Sequence, residues 1–149
     1  MSVGEYCNRE TVVIERSASV VEAAGLMREL HVGDIVVVER GADGMRPIGL
    51  LTDRDIVVEL VARGVEPQTV TIGDIMSTEL YTAWEGDDLL DTLKYMREKG
   101  VRRIPVIDRQ GSLSGILTVD DMIGVIAEQL ADITTLIGRE QRREQKQRP

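Results

Sequence analysis

The sequence contains few of the residues on which redox, metal and base-stacking chemistry depend. Its 149 residues include one cysteine, one histidine, one tryptophan, three tyrosines and no phenylalanine. A single cysteine cannot form an intrachain disulfide, and one cysteine with one histidine does not supply the ligands of a zinc site. The aromatic residues are too few to form a platform for single-stranded nucleic acid. Redox, zinc and stacking functions are therefore not expected.

Long hydrophobic runs are also missing. The sequence contains no stretch of 18 apolar residues, which a membrane span would need. It also lacks an apolar block at the N terminus of the kind that is typical of secreted proteins. The composition, with 42% hydrophobic and 30% charged residues, is that of a soluble globular protein that can fold unaided. We therefore expect a cytoplasmic protein without a membrane partner.

Basic charge is scarce outside the C terminus. The net charge is −8, and residues 139–149 carry five basic and two acidic side chains, so the remainder of the chain stands at −11. Such an acidic body would repel nucleic acid, which we do not expect as a partner. The basic tail could contact an anionic partner or could be a frayed, solvated terminus.

An internal repeat organises the rest of the sequence. Residues 7–38 align without gaps on residues 76–107, and a later pair of phrases matches closely, GLLTDRDI at 49–56 and GILTVDDM at 115–122. Each unit has the pattern of a strand, a helix, two strands joined by a turn, and a second helix. The sequence predicts an α+β fold of tandem β-α-β-β-α repeats. Its predicted parts are a first unit at 5–65, a linker at 66–75, a second unit at 76–130, and a helical extension with a polar basic tail at 131–149. Between the two strands of the first unit, residues 40–45 are expected to form a longer turn than residues 108–112 of the second.

Each phrase places Thr-x-x-Asp where a buried strand turns into a helix. The unpaired N–H groups and the dipole at a helix N terminus suit an anion such as phosphate, and the aspartate could accept hydrogen bonds from vicinal hydroxyls. The same spacing is close to a capping box, in which threonine and aspartate only cap the helix. Both interpretations apply to Thr52 with Asp55 and to Thr118 with Asp121.

The last predicted helix carries a narrow apolar seam. Its members follow spacings of three, four, three and four residues, a 3.5-residue repeat: Ile123, Ile126, Leu130, Ile133 and Ile137. The seam could pack back on the body of the chain or form a two-fold dimer contact. Gly138 and the polar residues after it are expected to end the helix.

Taken together, these motifs resemble a pair of CBS (cystathionine β-synthase-type) domains, the Bateman module. The resemblance rests on the two phrases and on VRRIPVID at 101–108, and it spans about residues 5–130. It implies that the two units pack through their sheets about a pseudo-two-fold axis. It also implies two clefts between the units, which in many members bind AMP, ADP, ATP, NAD or S-adenosylmethionine. Such modules are typically sensors rather than enzymes.

The resemblance also implies roles for individual residues. Asp55 with Thr52, and Asp121 with Thr118, would hold the ribose of a ligand. Basic side chains would face its phosphates, which points to Arg102 and Arg103. Arg54 could either contact a phosphate or pair with neighbouring acidic side chains. Apolar segments would enclose the purine, around Val12 and Val32 in one cleft and around Tyr81 and Val101 in the other. Ile116 is a further candidate for ligand binding.

The two units differ at one position that bears on these clefts. Where the second unit has Arg102-Arg103-Ile104-Pro105, the first has Gly33-Asp34-Ile35-Val36. An aspartate near a phosphate lowers affinity by repulsion, on the order of 1 kcal/mol at a partly exposed site. We therefore expect unequal clefts, with most nucleotide affinity in the one nearer Arg102 and Arg103. The alternative is that these arginines are solvated and form only a surface ion pair.

No catalytic group emerges, since His31 has no nucleophile in matching context and no counterpart in the second unit. Together with this absence, the resemblance implies a stand-alone, non-enzymatic regulatory module that requires no cofactor and no metal site. Its expected partners are an adenosine-containing ligand, an unidentified protein and a second copy of the chain. Mg²⁺ could accompany a nucleotide ligand. Alternatively, the acidic cluster of Asp120 and Asp121, with Asp53 and Asp55 opposite, could collect Mg²⁺ as a separate function. The alternative function is a ligand-independent module for protein interaction or dimerisation.

Overall fold

The computed structural model describes residues 1–148, which form two units of the same architecture. A short helix precedes each unit: α1 (Val3–Tyr6) the first, and α4 (Ile72–Ile75), with a 3-10 turn over Pro67–Thr69, the second. The first unit consists of β1 (Val13–Glu15), α2 (Val20–Leu30), β2 (Asp34–Gly41), β3 (Gly44–Thr52) and α3 (Asp53–Ile56), which continues as a π-helical turn over Val57–Val61. The second unit consists of β4 (Ala83–Trp84), α5 (Leu89–Lys99), β5 (Arg103–Ile107), β6 (Leu113–Thr118) and α6 (Val119–Gln147).

Each unit contains one three-stranded mixed sheet. In the first, β1 pairs in parallel with β2 and β2 pairs antiparallel with β3; the second repeats this order with β4, β5 and β6. Two helices are capped by the residues that the sequence predicts. Ser19 and Glu22 form the expected capping box of α2, and Asp88 accepts hydrogen bonds from the N–H groups of Leu90 and Asp91 at the start of α5. The α+β fold predicted from the repeat is confirmed.

The prediction of a longer turn in the first hairpin was wrong. β2 and β3 extend to Gly41 and Gly44, and only residues 42–43 separate them. In the second unit, residues 108–112 lie between the strands. The extra residues of the first unit therefore lengthen its strands rather than its turn, and the two-residue turn is closed at Gly44, whose φ of +123° favours glycine.

The segment that precedes each unit packs on the opposite unit. Val3, from the N terminus, is buried in the core of the second unit, whereas Ile72 is buried in the core of the first. Isolated backbone bridges extend this exchange, joining Asn8 to Ile116 in β6 and Ser77 to Leu50 in β3. The two units are therefore interlocked and not merely adjacent.

A third apolar cluster joins the two sheets. Its buried members are Val36 and Val38 of β2 and Ile116 of β6, and Leu50 and Leu113 pack against them. These residues come from both units, so the sheets themselves form the junction. Packing through the sheets about a pseudo-two-fold axis is confirmed. The unit boundaries assigned from the sequence stay a prediction.

The last helix is longer than expected. Helix α6 runs through Gly138 to Gln147, so the prediction that Gly138 ends it was wrong. A single helical glycine costs about 1 kcal/mol relative to alanine, which the residues on either side can offset. Pro149, the last residue of the predicted tail, lies outside the described residues. Among residues 1–148, no helix combines the length and the apolar character that crossing a membrane requires.

Candidate functional site

A cleft lies between the two units, where helix α6 begins; we call it the Asp121 cleft. It encloses about 150 Å³. Its walls come from both halves of the chain: Asn8, Glu10, Thr11, Val12, Val32, Asp34, Ile116, Thr118 and Asp121. Five predicted ligand-binding residues therefore lie together here, namely Val12, Val32, Ile116, Thr118 and Asp121.

Ile116 is positioned by a backbone crossing. The N–H of Asn8 donates to the carbonyl of Ile116 at 2.8 Å, and the N–H of Ile116 donates to the carbonyl of Asn8 at 2.9 Å. A Cβ at Gly115 would lie 2.7 Å from the Asn8 oxygen and 2.8 Å from Cys7 Sγ, closer than real contacts. The glycine that opens the second phrase is therefore required by the segment that crosses β6. Gly49 opens the first phrase for the same reason, with Ser77 in the place of Asn8.

Thr118 and Asp121 form the capping box of α6, and Asp121 uses only one of its oxygens to do so. The N–H of Thr118 donates to Asp121 Oδ2 at 2.8 Å, and the Thr118 hydroxyl also lies 2.7 Å from that oxygen. The N–H of Asp121 donates back to Thr118 Oγ1 at 3.2 Å. Among residues 1–148, no hydrogen bond engages Asp121 Oδ1. The carboxylate can therefore cap the helix and still offer one acceptor to the cleft.

The first unit repeats this geometry at α3. The N–H of Thr52 donates to Asp55 Oδ2 at 2.8 Å, and the N–H of Asp55 donates to Thr52 Oγ1 at 3.1 Å. Both side chains are half-buried. The capping interpretation of Thr-x-x-Asp thus describes both copies, and it leaves one carboxylate oxygen available in each.

Asp34 and Arg103 occupy matching positions of the two units and contact each other. Arg103 Nη1 lies 2.9 Å from Asp34 Oδ1, and the two side chains are 32% and 24% exposed. Each residue begins the central strand of its sheet, so the pair bridges the two units. Because Asp34 lines the Asp121 cleft, Arg103 is held beside that cleft by an acidic partner.

The Asp121 cleft is acidic. Its lining includes the carboxylates of Glu10, Asp34 and Asp121 and no basic side chain. Within the part of the chain that the structure describes, no three His, Cys, Asp or Glu side chains are grouped so as to hold a metal ion. The arrangement can enclose a flat apolar group beside a hydroxyl-bearing group, and its charge disfavours an anion.

Comparison with known proteins identifies the family. The family model described as "CBS domain" matches residues 3–62 and 72–128. The chain belongs to the CBS domain family. Pairs of CBS domains typically act as regulatory modules without catalytic activity of their own, and the match indicates no catalytic family.

Relatives and a solved structure agree with this assignment. The CBS domain-containing protein YhcV of Bacillus subtilis is 35% identical over 81% of this chain and 82% of its own length. An uncharacterized protein of Methanopyrus kandleri is 37% identical over 84% of this chain, which spans only 62% of that relative. The CBS domain pair of protein MJ0100, in complex with 5'-methylthioadenosine and S-adenosyl-L-methionine, superimposes with a TM-score of 0.73 at 21% identity, covering 87% of this chain and 98% of that chain.

Of the remaining residues predicted to bind ligand, Arg103 lies beside the Asp121 cleft through its contact with Asp34, and the others are not part of its lining. Tyr81 and Val101 pack on the core of the second unit, and the Tyr81 ring meets the Tyr95 ring edge to face at 6.1 Å. Arg54 and Arg102 are exposed, and neither side chain forms an ion pair within residues 1–148. Their roles stay predictions, as do those of Thr52 and Asp55.

A larger cavity, of about 600 Å³, lies beside α1 and the turn after β4. Glu85 there accepts hydrogen bonds from Arg9 and Ser114, which lowers the pKa of its carboxyl. Arg9 also donates to the carbonyl of Gly4 at 2.8 Å. This network fastens the N-terminal segment to the second unit, so its evident role is structural.

Sequence reasoning missed part of the lining of the Asp121 cleft. Asn8, Glu10 and Thr11 were not among the predicted site residues, although Glu10 aligns with Glu79 in the repeat. Asp34 was recognised only as a difference between the units, not as the direct partner of Arg103. The exchange of the leading segments places residues 8–11 in the cleft, and a pattern confined to one unit could not reveal it.

Proposed function

We propose that this CBS pair is a regulatory module that binds an adenosine-containing small molecule in the Asp121 cleft and signals to a partner protein. The observation that carries the proposal is the free Oδ1 of Asp121 in a cleft whose apolar side chains, Val12, Val32 and Ile116, come from both units. A carboxylate oxygen in this place can accept hydrogen bonds from the two vicinal hydroxyls of a ribose. The capping role of Asp121 does not compete, since it uses the other oxygen.

The base of the ligand fits the apolar part of the cleft. Val12 and Val32 come from the first unit and Ile116 from the second, so a purine between them would contact both units. A ligand held in this way favours one arrangement of the two units over others, which is what a regulatory ligand must do.

The cleft has to widen to admit a nucleoside. Its volume of about 150 Å³ is below the roughly 300–1,000 Å³ of typical ligand pockets. Glu10 is exposed at its edge and can rotate outward without loss of a hydrogen bond through its carboxylate. Binding therefore involves a local adjustment, and this adjustment gives the ligand a means of changing the module.

The charge of the cleft favours an uncharged or cationic ligand. A phosphate would lie among the carboxylates of Glu10, Asp34 and Asp121, and Arg103, the nearest cation with a defined partner, is already paired with Asp34. Adenosine, methylthioadenosine and S-adenosylmethionine avoid this repulsion. The structural neighbour that binds the last two supports this choice.

A second ligand position is proposed by analogy with the first. It would use Asp55 and Thr52 for a ribose, Tyr81 and Val101 for a base, and the exposed Arg102 and Arg54 for phosphates, joined by the half-buried Arg103 if it leaves Asp34. This cleft is the one where we expect a phosphorylated ligand. Mg²⁺ enters the proposal only as a companion of such phosphates, and no resident cofactor is required.

Thermal unfolding with a panel of ligands tests the proposal. Adenosine, methylthioadenosine, S-adenosylmethionine, AMP, ADP, ATP and NAD are each added at millimolar concentration. A ligand at about 100 times its dissociation constant adds roughly 2.7 kcal/mol to the free energy of unfolding, which is visible as a rise in Tm. No rise with any member of the panel would contradict the proposal.

Two matched variants then locate the site. Asp121→Asn and Asp55→Asn remove one charge from equivalent capping boxes, so their effects on stability should be similar and no more than about 2 kcal/mol. Asp121→Asn alone should abolish the rise in Tm caused by uncharged adenosyl ligands. If both variants bind these ligands as the wild type does, the Asp121 cleft is not the site.

Dimerisation through α6 is a second candidate function, favoured by its apolar seam. The seam residues do not pack back on the body, since all five are 46–60% exposed. A homodimer is compatible with ligand sensing, and it is also what the alternative of a ligand-independent interaction module requires.

A further inference from the structure

The ion pair between Asp34 and Arg103 lies where the two units are related by symmetry. Asp34 begins β2 and pairs in register with Thr52 of β3, and Arg103 begins β5 and pairs in register with Thr118 of β6. The two residues therefore hold equivalent positions. Equivalent positions can touch only close to the axis that relates them, so the contact of 2.9 Å between Arg103 Nη1 and Asp34 Oδ1 lies at the pseudo-two-fold axis.

Each member of this pair belongs to a different cleft. Asp34 comes from the first unit but lines the Asp121 cleft, at the start of α6 in the second unit. The same symmetry assigns Arg103, from the second unit, to the cleft proposed beside Thr52 and Asp55, at the start of α3 in the first. The backbone crossings over β3 and β6 obey this symmetry as well. The ion pair is therefore a wall that the two clefts share.

The pair balances one charge in each cleft. Among residues 1–148, neither Asp34 nor Arg103 forms a second ion pair. Their side chains are only 24% and 32% exposed, so water compensates for a lost partner only in part. When the pair opens, Asp34 presents a negative charge to one cleft and Arg103 presents a positive charge to the other. The closed and the open pair are thus two states between which a ligand can select.

The group on the 5′ carbon of an adenosyl ligand carries the charge that makes this selection. In ADP this group is a phosphate, whereas in S-adenosylmethionine it is a sulfonium, so the two ligands bring opposite charges to the same end of the ribose. A phosphate beside Arg103 competes with Asp34, because a guanidinium matches phosphate and carboxylate equally well. A cation beside Asp34 competes with Arg103. Either ligand therefore favours the open pair.

We propose that the Asp34–Arg103 pair couples the two clefts and makes them select adenosyl ligands of opposite charge. A phosphorylated ligand in the second cleft draws Arg103 from Asp34, and the released carboxylate attracts a cationic ligand into the Asp121 cleft. The pair has to be separated only once for both ligands, so each strengthens binding of the other. The inference rests on the proposed function, to which it adds that the module responds most strongly to S-adenosylmethionine when a nucleotide is also bound.

Calorimetric titration of S-adenosylmethionine, with and without saturating ADP, tests the coupling. ADP should lower the dissociation constant of S-adenosylmethionine about fivefold, the lower end of the usual range for coupled sites. S-adenosylmethionine should lower the dissociation constant of ADP by the same factor, as linkage requires. Competition for a single cleft has the opposite sign, because ADP would then raise the apparent dissociation constant of S-adenosylmethionine.

Asp34→Asn removes the acidic partner and leaves the pair permanently open. ADP should bind this variant about fivefold more tightly than the wild type even without S-adenosylmethionine, and the two ligands should no longer strengthen each other. Asp43→Asn makes the same change in net charge in the exposed turn of the first hairpin, and it should keep the wild-type coupling. Asp55→Asn removes a ribose contact from the second cleft and should abolish the effect of ADP. Circular dichroism shows whether each variant is folded.

The possible results separate this inference from the proposed function. If no adenosyl ligand raises the Tm, both are wrong. If adenosyl ligands bind but S-adenosylmethionine does not, or if ADP leaves its dissociation constant unchanged or raises it, only the coupling is wrong. The coupling is also overturned if ADP binds Asp34→Asn no more tightly than the wild type. An equal loss of coupling in Asp43→Asn would attribute the effect to net charge and overturn the role of the pair.

Discussion

Neutralising Asp34 should change which adenosyl ligands the Asp121 cleft accepts. The Asp34 carboxylate lines this cleft and forms a half-buried ion pair with Arg103. In Asp34→Asn the cleft loses one negative charge, and Arg103 loses its acidic partner and becomes available to a ligand phosphate. Both consequences act in the same direction, because each improves the environment for an anion.

The magnitude follows from Coulomb's law. A phosphate about 6 Å from one unit charge interacts with it by roughly 2.8 kcal/mol at an effective dielectric constant of 20 and by roughly 0.7 kcal/mol at that of water. A value near 1.4 kcal/mol, between these limits, corresponds to a tenfold change in affinity. We therefore expect AMP to bind about tenfold more tightly to Asp34→Asn than to the wild type, while the affinity for adenosine changes little. Loss of the partly exposed ion pair should lower the free energy of unfolding by no more than about 1 kcal/mol.

Calorimetric titration of adenosine and AMP into both proteins gives the quantity that matters, the ratio of the two dissociation constants. Because both ligands contain adenosine, any effect of the substitution on adenosine binding cancels in this ratio. The ratio therefore reports only the effect on binding of the phosphate group. Asp43→Asn makes the same change in net charge in the exposed turn of the first hairpin and is the matched control. An unchanged ratio in Asp34→Asn, or an equal change in Asp43→Asn, would refute the assignment of Asp34 as a selectivity determinant.

Two further predictions concern the fold. Gly115→Ala should destabilise the protein by about 1–3 kcal/mol in denaturant titration, because the new Cβ would collide with Asn8 and Cys7. Gly124→Ala, in open space on α6, is the control and should be neutral or stabilising by up to about 1 kcal/mol. Equal effects of the two substitutions would show that the backbone crossing at Asn8 is not the cause. The lowered pKa of Glu85 contributes stability that is complete above its ordinary value of 4.5 and is lost as pH falls through the lowered folded value. Glu85→Gln should therefore reduce the loss of stability below pH 4.5, and an unchanged acid limb would contradict this role of the Arg9 contact.

Local signals in the sequence predicted the elements well. Ser19, Asp88 and the two Thr-x-x-Asp phrases all cap helices where expected, because capping depends on residues only three positions apart. The prediction that the helix ends at Gly138 was also based on a local signal, and it was wrong. A glycine signals a helix end only when the chain turns there, and the pattern around it does not reveal whether other interactions carry the helix onward.

Contacts between residues that are far apart in the chain could not be predicted from the sequence. The repeat places Asp34 and Arg103 at equivalent positions, and equivalence alone suggested that the two clefts differ. Only the three-dimensional arrangement shows that a pseudo-two-fold axis brings these two positions within 2.9 Å of each other. The same axis exchanges the leading segments, so that Asn8 lines a cleft together with Ile116, Thr118 and Asp121, which lie more than a hundred positions away.

Helix α6 physically connects the proposed ligand cleft with the second candidate function, dimerisation. Its first turn, at Thr118 and Asp121, lines the ligand cleft, and the seam that we assign to dimerisation begins at Ile123 on the same helix. A ligand that hydrogen-bonds to Asp121 therefore contacts the N-terminal turn of the same helix that carries the dimerisation seam. Coupling exists only if the ligand binds the dimer and the monomer with different affinities, and the ligand must then change the dimer dissociation constant by the same factor as dimerisation changes ligand affinity. A signal could therefore pass along α6 without any change in the folds of the two units.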